Sequence, residues 1–171
     1  FVEGMGPAQF ATRATVDTLR SGVDGDASGD GACAVLAADD PACLYGVALP
    51  WPAVADGTDA PVPAGSSRPK RMAGALVVLV GGAPALYAGA NLKGLATFSA
   101  DEGVLRRAVQ GLVAYERARL RREGPSAAGR AKLVVETVNG RDALDAPLAD
   151  LLLEAGFVRL PNGLRLYVDP F

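Results

Sequence analysis

Apolar and polar positions alternate in blocks short enough to read one element at a time. Met72 to Val80 is a continuous apolar run between Lys70-Arg71 and Gly81-Gly82, the pattern of a core strand buried on both faces. Gly81-Gly82 ahead of Pro84-Ala85-Leu86-Tyr87 predicts a hairpin, and Leu92 to Phe98 predicts a third strand. Ser99 with Glu102 at capping-box spacing opens a helix to about Glu123, with Leu105, Ala108, Val109, Leu112 and Val113 on one stripe. Lys132 to Val138 predicts a strand that turns at Asn139-Gly140, a pair suited to a type I′ turn. Asp145 to Ala155 predicts a second helix, N-capped by Asp145 and stopped by Gly156. Phe157 to Leu160 and Leu164 to Val168 flank Pro161-Asn162-Gly163 as a closing hairpin.

Upstream the pattern is weaker. Ala32 to Ala38 and Tyr45 to Leu49 are strand candidates, the second stopped by Pro50-Trp51-Pro52. Pro52 to Arg68 lacks periodicity and reads as a long loop. Phe1 to Gly4, a turn at Gly6-Pro7 and Ala8 to Thr12 suggest a hairpin, followed by a short helix from Thr15 to Arg20. That order fits the wing of a winged-helix module entered mid-strand, and a plain hairpin equally. The expected organisation is the end of a winged-helix-like module over 1–22, a flexible linker over 23–31, and a terminal domain over 32–171. Its expected class is α+β: an antiparallel, barrel-like sheet with two or three packed helices.

Composition narrows the chemistry. The 171 residues include two cysteines and no histidine, which removes Ser-His-Asp and Cys-His catalysis and HExxH zinc sites. No run of about 18 apolar residues exists, so no membrane span is expected. The net charge of −2 hides an asymmetry. Residues 1–60 carry nine acids against Arg13 and Arg20, whereas the remainder carries fifteen bases against ten acids, a mild polyanion-facing bias. Asp24, Asp26 and Asp30 have a calcium-loop look, but Val35 stands where the bidentate carboxylate belongs, so a linker is the better reading.

Candidate site residues follow from this charge distribution. Lys70, Arg71, Arg130 and Lys132 flank strands, where they could grip phosphates or simply be solvated. Arg119, Arg121 and Arg122, behind Arg117, crowd a helix C-terminus, where the dipole alone would favour cations. Trp51 either stacks on a base or plugs the end of the sheet, and packing is the commoner use. Cys33 and Cys43 have no activating neighbour and read as small buried residues. Asp39, Asp40, Glu136 and Asp169 are the carboxylates that could serve a histidine-free hydrolytic site; Asp169 is the catalytic candidate, against the commoner reading of a solvated tail carboxylate.

Several blocks occur in a telling order: Phe1-Val2-Glu3-Gly4, Ala8-Gln9-Phe10-Ala11, Asp40-Pro41, Tyr45-Gly46, Ala48-Leu49-Pro50-Trp51-Pro52, Arg71 to Val80, Ala155-Gly156-Phe157-Val158 and Gly163-Leu164-Arg165-Leu166. Together they resemble the C-terminal region of the Lhr-type (large helicase-related) bacterial DNA helicases across about residues 1–168. The Tyr-Gly…Ala-Leu-Pro-Trp-Pro block is the most specific. Family members commonly read Asp-Pro-Ala-Asn-Pro-Tyr-Gly where this chain has Asp40-Pro41-Ala42-Cys43-Leu44-Tyr45-Gly46. The resemblance implies an ATP-dependent 3′-to-5′ helicase acting in DNA repair, with a motor core elsewhere and an extension of winged-helix modules. Uracil glycosylase activity is attributed to that extension. Implied partners are DNA and the upstream winged-helix modules, with homo-oligomerisation left open and no membrane; a cytoplasmic, nucleoid-associated location goes with them. ATP and Mg²⁺ are implied for the motor core only. No cofactor is expected in this segment, which lacks a GxxxxGK[ST] loop and a DExH-like box.

Overall fold

The computed structural model describes residues 12–14, 32–55, 68–124 and 132–168. The expected wing and linker therefore lie almost wholly outside the described residues. The elements run β1 (Cys33–Ala37), β2 (Leu76–Val80), β3 (Ala83–Ala88), a 3-10 turn (Ala90–Leu92), β4 (Gly94–Thr97), α1 (Glu102–Glu123), β5 (Leu133–Val135), β6 (Thr137–Val138), β7 (Arg141–Asp142), α2 (Ala149–Glu154), β8 (Phe157–Leu160) and β9 (Gly163–Leu166). The architecture is α+β. Six strands form one sheet in the order β1-β2-β3-β4-β6-β7, and three form a second in the order β5-β9-β8.

Burial follows the alternation of the strands. Leu76, Val78 and Val80 of β2, Leu86 and Ala88 of β3 and Leu95 of β4 face one core, which α1, α2 and the inner face of the small sheet complete. Val77, Tyr87 and Ala96 face the opposite way, into a second cluster with Ala38, Cys43 and Ala75. The two-faced burial expected of the 72–80 run is met over β2, with Val77 and Val78 fully enclosed and the strand hydrogen-bonded on both sides, whereas Met72, Ala73 and Gly74 are exposed and precede it.

Four expectations on element boundaries are corrected. The helix over α1 starts where expected, but its cap is Asp101, whose extended backbone lets Oδ1 accept from the Val104 N–H at 2.8 Å; Ser99 Oγ accepts from the Asp101 N–H instead. The second helix begins only at Ala149, without a side-chain cap, because Pro147 disfavours helical backbone at the residue before it. Tyr45 to Leu49 is a loop, not a strand: the Leu44 carbonyl accepts from the amides of Val47, Ala48 and Leu49. The run from Lys132 to Val138 is broken at Glu136, where the chain passes from the small sheet to the large one. The Lys93 carbonyl receives both the Glu136 and the Thr137 N–H, at 2.9 and 3.2 Å. The resulting pair β4–β6 is parallel, so the sheet is not purely antiparallel. Both sheets are open, with β1 and β7 at the ends of the larger, and no closed barrel is formed among the described residues.

The Asn139-Gly140 turn is as the sequence predicts, with φ of 51° and 79°. Asn139 also does more than turn the chain. Its side chain accepts from the Thr97 N–H at 2.8 Å and donates to Thr97 Oγ1 at 2.9 Å, while Thr97 Oγ1 donates to the Ala55 carbonyl at 2.9 Å. All three links are buried or partly so, and they join β4, the β6–β7 hairpin and the end of the 51–55 segment. Asn139→Gly keeps the left-handed backbone but strands the Thr97 amide, and should cost about 1–3 kcal/mol. Asn139→Ala should cost about 1 kcal/mol more, for the backbone strain. Urea denaturation of both variants checks the order.

Candidate nucleic-acid interface

The most specific sequence block folds into an aromatic lid over one sheet face. Trp51 lies parallel to Tyr45 at 5.9 Å and to Phe98 at 6.3 Å, and meets Tyr87 edge-on at 5.6 Å. Its packing role is settled by these neighbours: it covers Val77 and Ala96, not a ligand. Gly46 (φ 78°) is required beneath it, since a Cβ there would lie 2.7 Å from the indole nitrogen. Arg71 locks the same lid. Its guanidinium donates to the Cys43 carbonyl and, at 3.1 Å, to the Asp39 carbonyl. The Asp40-to-Gly46 turn, which departs from the family pattern, therefore serves here as the acceptor of Arg71, with Cys43 buried behind it.

Tyr87 extends the lid to the surface. Its hydroxyl donates to the Lys70 carbonyl at 3.1 Å, fixing the backbone from which Lys70 projects. Burial pushes the Tyr87 phenol above its ordinary range. Beside it opens a groove of about 510 Å³, lined by Arg68, Lys70, Met72, Lys93, Glu136 and Thr137 among others. Lys93 pairs with Glu136 at 3.2 Å yet stays 71% exposed. Arg68 and Lys70 are exposed and have no acidic partner among the described residues. Three cations against one carboxylate make the groove positive. Met72, 45% exposed, supplies an apolar floor.

The other candidates are distributed differently. Arg119 is spoken for: Glu116, only 4% exposed, holds it at 2.7 Å and Glu123 holds it at 2.8 Å. Burial alone would lower the Arg119 pKa, but these two carboxylates raise it. Arg122 Nε donates to the Ala118 carbonyl and, like Arg121, is exposed at the end of α1. Lys132 is exposed at the entry to β5, on an element other than those of the groove. Arg130 and Asp169 lie outside the described residues. Of the remaining carboxylates, Asp40 Oδ1 accepts from the Ala42 N–H at 2.7 Å, Asp39 is exposed, and Glu136 is paired. No three Asp, Glu or Cys side chains converge as a metal set among the described residues. No helix among them is long and apolar enough to cross a membrane.

A second cleft of about 510 Å³ carries the opposite charge. Glu102, Asp150 and Glu154 rim it beside Asn139, and Arg106 bridges Glu102 and Glu154. Phosphates would be repelled there. Lys93 is the groove residue that sequence reasoning passed over, because Leu92 to Phe98 reads as one strand. The structure instead places a 3-10 turn at 90–92, with Asn91 and Leu92 at φ of 57° and 61°, immediately before Lys93.

Comparison with known proteins matches this chain to a family. No family model matches the chain. It is 39% identical over 175 aligned positions to the Lhr helicase/probable uracil glycosylase of Mycolicibacterium smegmatis, a match covering 97% of the chain. It is 36% identical over 165 positions to the Lhr helicase/uracil glycosylase of Escherichia coli, covering 96% of the chain. The chain is homologous to a segment of the Lhr-type helicases. It spans only 10% of the length of each of these relatives.

The lid yields a pH-dependent prediction. A phenol whose pKa is raised by folding favours the neutral form, so its contribution holds below about pH 10 and fades as pH climbs through the higher folded value. Cys33, also raised by burial, adds to the same alkaline decline. Tyr87→Phe should cost about 1 kcal/mol at neutral pH and flatten, without abolishing, the loss of stability above pH 10. Thermal melts from pH 7 to about 11 read both effects.

Proposed function

We propose that this chain is the C-terminal accessory module of an Lhr-type ATP-dependent 3′-to-5′ DNA helicase acting in DNA repair. In this reading the segment is itself non-catalytic and helps the parent protein engage DNA. Residues 32–171 are the module, 1–22 the end of a preceding winged-helix-like module and 23–31 the linker between them. The motor core, with its ATP and Mg²⁺, lies elsewhere in the parent, and the location is the cytoplasm and nucleoid.

The observation that carries the reading is the positive groove at Arg68, Lys70 and Lys93, built beside a strand enclosed on both faces. Tyr87 holds the Lys70 carbonyl and the next residue, Arg71, is tied to the lid, so the Lys70 charge is offered beside a fixed backbone. Lysines are suited to phosphates as point charges, without base readout. Binding here would be independent of sequence and strongly salt-dependent.

Lys70→Glu and Lys93→Glu should each weaken binding to single-stranded and duplex DNA alike. For every phosphate no longer neutralised, the slope of log affinity against log salt should fall by roughly 0.7–0.9. Fluorescence anisotropy across a salt series measures this. Undetectable binding at low salt would remove direct DNA contact, leaving an assembly role within the parent.

A second reading is favoured by the names of both relatives, each of which includes a uracil glycosylase. Under it the chain forms part of a winged-helix base-excising module, with Asp169 as the carboxylate that orients water or stabilises an oxocarbenium ion. Asp169→Ala in the full-length parent should then abolish excision from uracil-containing DNA, scored as abasic-site cleavage. Unchanged excision removes Asp169 from the chemistry.

A further inference from the structure

The outer face of the small sheet is unlike the rest of the surface. Leu133, Val135, Phe157, Leu164 and Leu166 point into the core, so the register Val134↔Arg165↔Val158 lies on the opposite face. Val158 is 49% exposed and Tyr167, one residue beyond β9, is 50% exposed; they are two of the four large apolar side chains so exposed among the described residues. The Arg165 guanidinium carbon sits 4.6 Å from the centre of the Tyr167 ring. Arg165 Nε is buried without a hydrogen-bond partner in the structure.

Charge sharpens the picture. Lys132, just before β5 and in step with Val134, is exposed on this face, whereas Arg159 pairs with Leu164 and lies on the other; residues 132–135 and 157–168 contain no Asp or Glu. Of the carboxylates next along the chain, Glu136 is engaged by Lys93 and Glu154 by Arg106, and Asp169 lies outside the described residues. Two cations, Lys132 and Arg165, thus share a face with a half-exposed aromatic ring, and neither forms a salt bridge among the described residues. Lysine is depleted at protein-docking faces, so Lys132 beside the ring favours a polyanion. An aromatic ring among such cations suits a polyanion that carries flat, unstacked faces.

We propose that this face is a stacking platform for single-stranded nucleic acid, with a base laid against Tyr167 and phosphates held by Lys132 and Arg165. The proposal rests on the reading of the chain as a DNA-engaging module, and adds a second binding surface that prefers single strands. Bases in a duplex are already stacked, so only an unpaired strand can use the ring, whereas the groove at Lys70 and Lys93 meets any phosphate backbone.

The test uses the 171-residue chain, an oligothymidine carrying one 2-aminopurine, and a duplex of equal length. Tyr167→Ala should weaken single-strand binding about tenfold, remove the 2-aminopurine quench and leave duplex binding unchanged. Tyr167→Phe should retain the quench, and Arg165→Gln should lower single-strand affinity with a smaller salt slope. The double variant Lys70→Glu/Lys93→Glu should weaken both substrates while keeping the quench. Single-strand affinity and quench unchanged in Tyr167→Ala, while the groove variant still binds more weakly, would overturn the platform and leave the groove reading standing. The same holds if Tyr167→Ala changes only the oligomeric state, which would make the face a protein interface. Absence of binding by the unmutated chain would overturn both.

Discussion

A strand whose side chains are apolar on both faces demands two covers, and β2 imposes that demand on everything around it. Leu76, Val78 and Val80 need the stripe of α1, and Val77 needs something on the far side. Among the described residues no second long helix supplies it. The Tyr45–Val54 segment does so with aromatic rings instead of regular structure, which works only because Gly46 leaves room for Trp51 and Arg71 ties down the carbonyls of the turn. The fold is therefore a three-layer arrangement in which one layer is a loop.

The same solution explains how charge is distributed. Guanidinium groups engage fixed acceptors: Arg71 the lid carbonyls, Arg119 the buried Glu116, and Arg106 the two exposed carboxylates at the acidic cleft. Bidentate, fork-shaped donors suit such fixed acceptors. All three lysines, flexible and strongly hydrated, are left at the exposed rims. An acidic chain can in this way present local positive surfaces, because nine of its acids lie in residues 1–60 and Glu102, Glu116, Glu123 and Glu154 are paired with arginines.

Much of the fold was legible along the chain wherever one residue type had one job. The 72–80 run, the glycine pair at 81–82, the Asn139-Gly140 turn and the closing hairpin each declare themselves by local chemistry. The failures are tertiary. Nothing local distinguishes Glu136 from a strand residue; only the Lys93 carbonyl, more than forty positions earlier, makes it the corner between sheets. Ser99 and Asp101 are equally good caps, and the backbone path out of β4 chooses between them. The groove was half legible: Lys70 was visible at a strand entry, but Arg71 turned inward and Lys93 came from a turn that reads as a strand. Trp51 resolved to packing because its neighbours are other rings, which spacing does not reveal.

The corner at Glu136 has a mechanical meaning. One carbonyl holds the chain at the very residue where it leaves the small sheet and enters the large one, and the residues on either side belong to both bodies. Sheets sharing such a joint cannot slide or hinge freely past each other. Anything long enough to touch both is then measured against a fixed ruler, its contour set by the protein and not by its own flexibility. Under the proposed function, a strand whose repeat suits that spacing would be held at both places for one loss of freedom, whereas a mismatched one would have to choose between them.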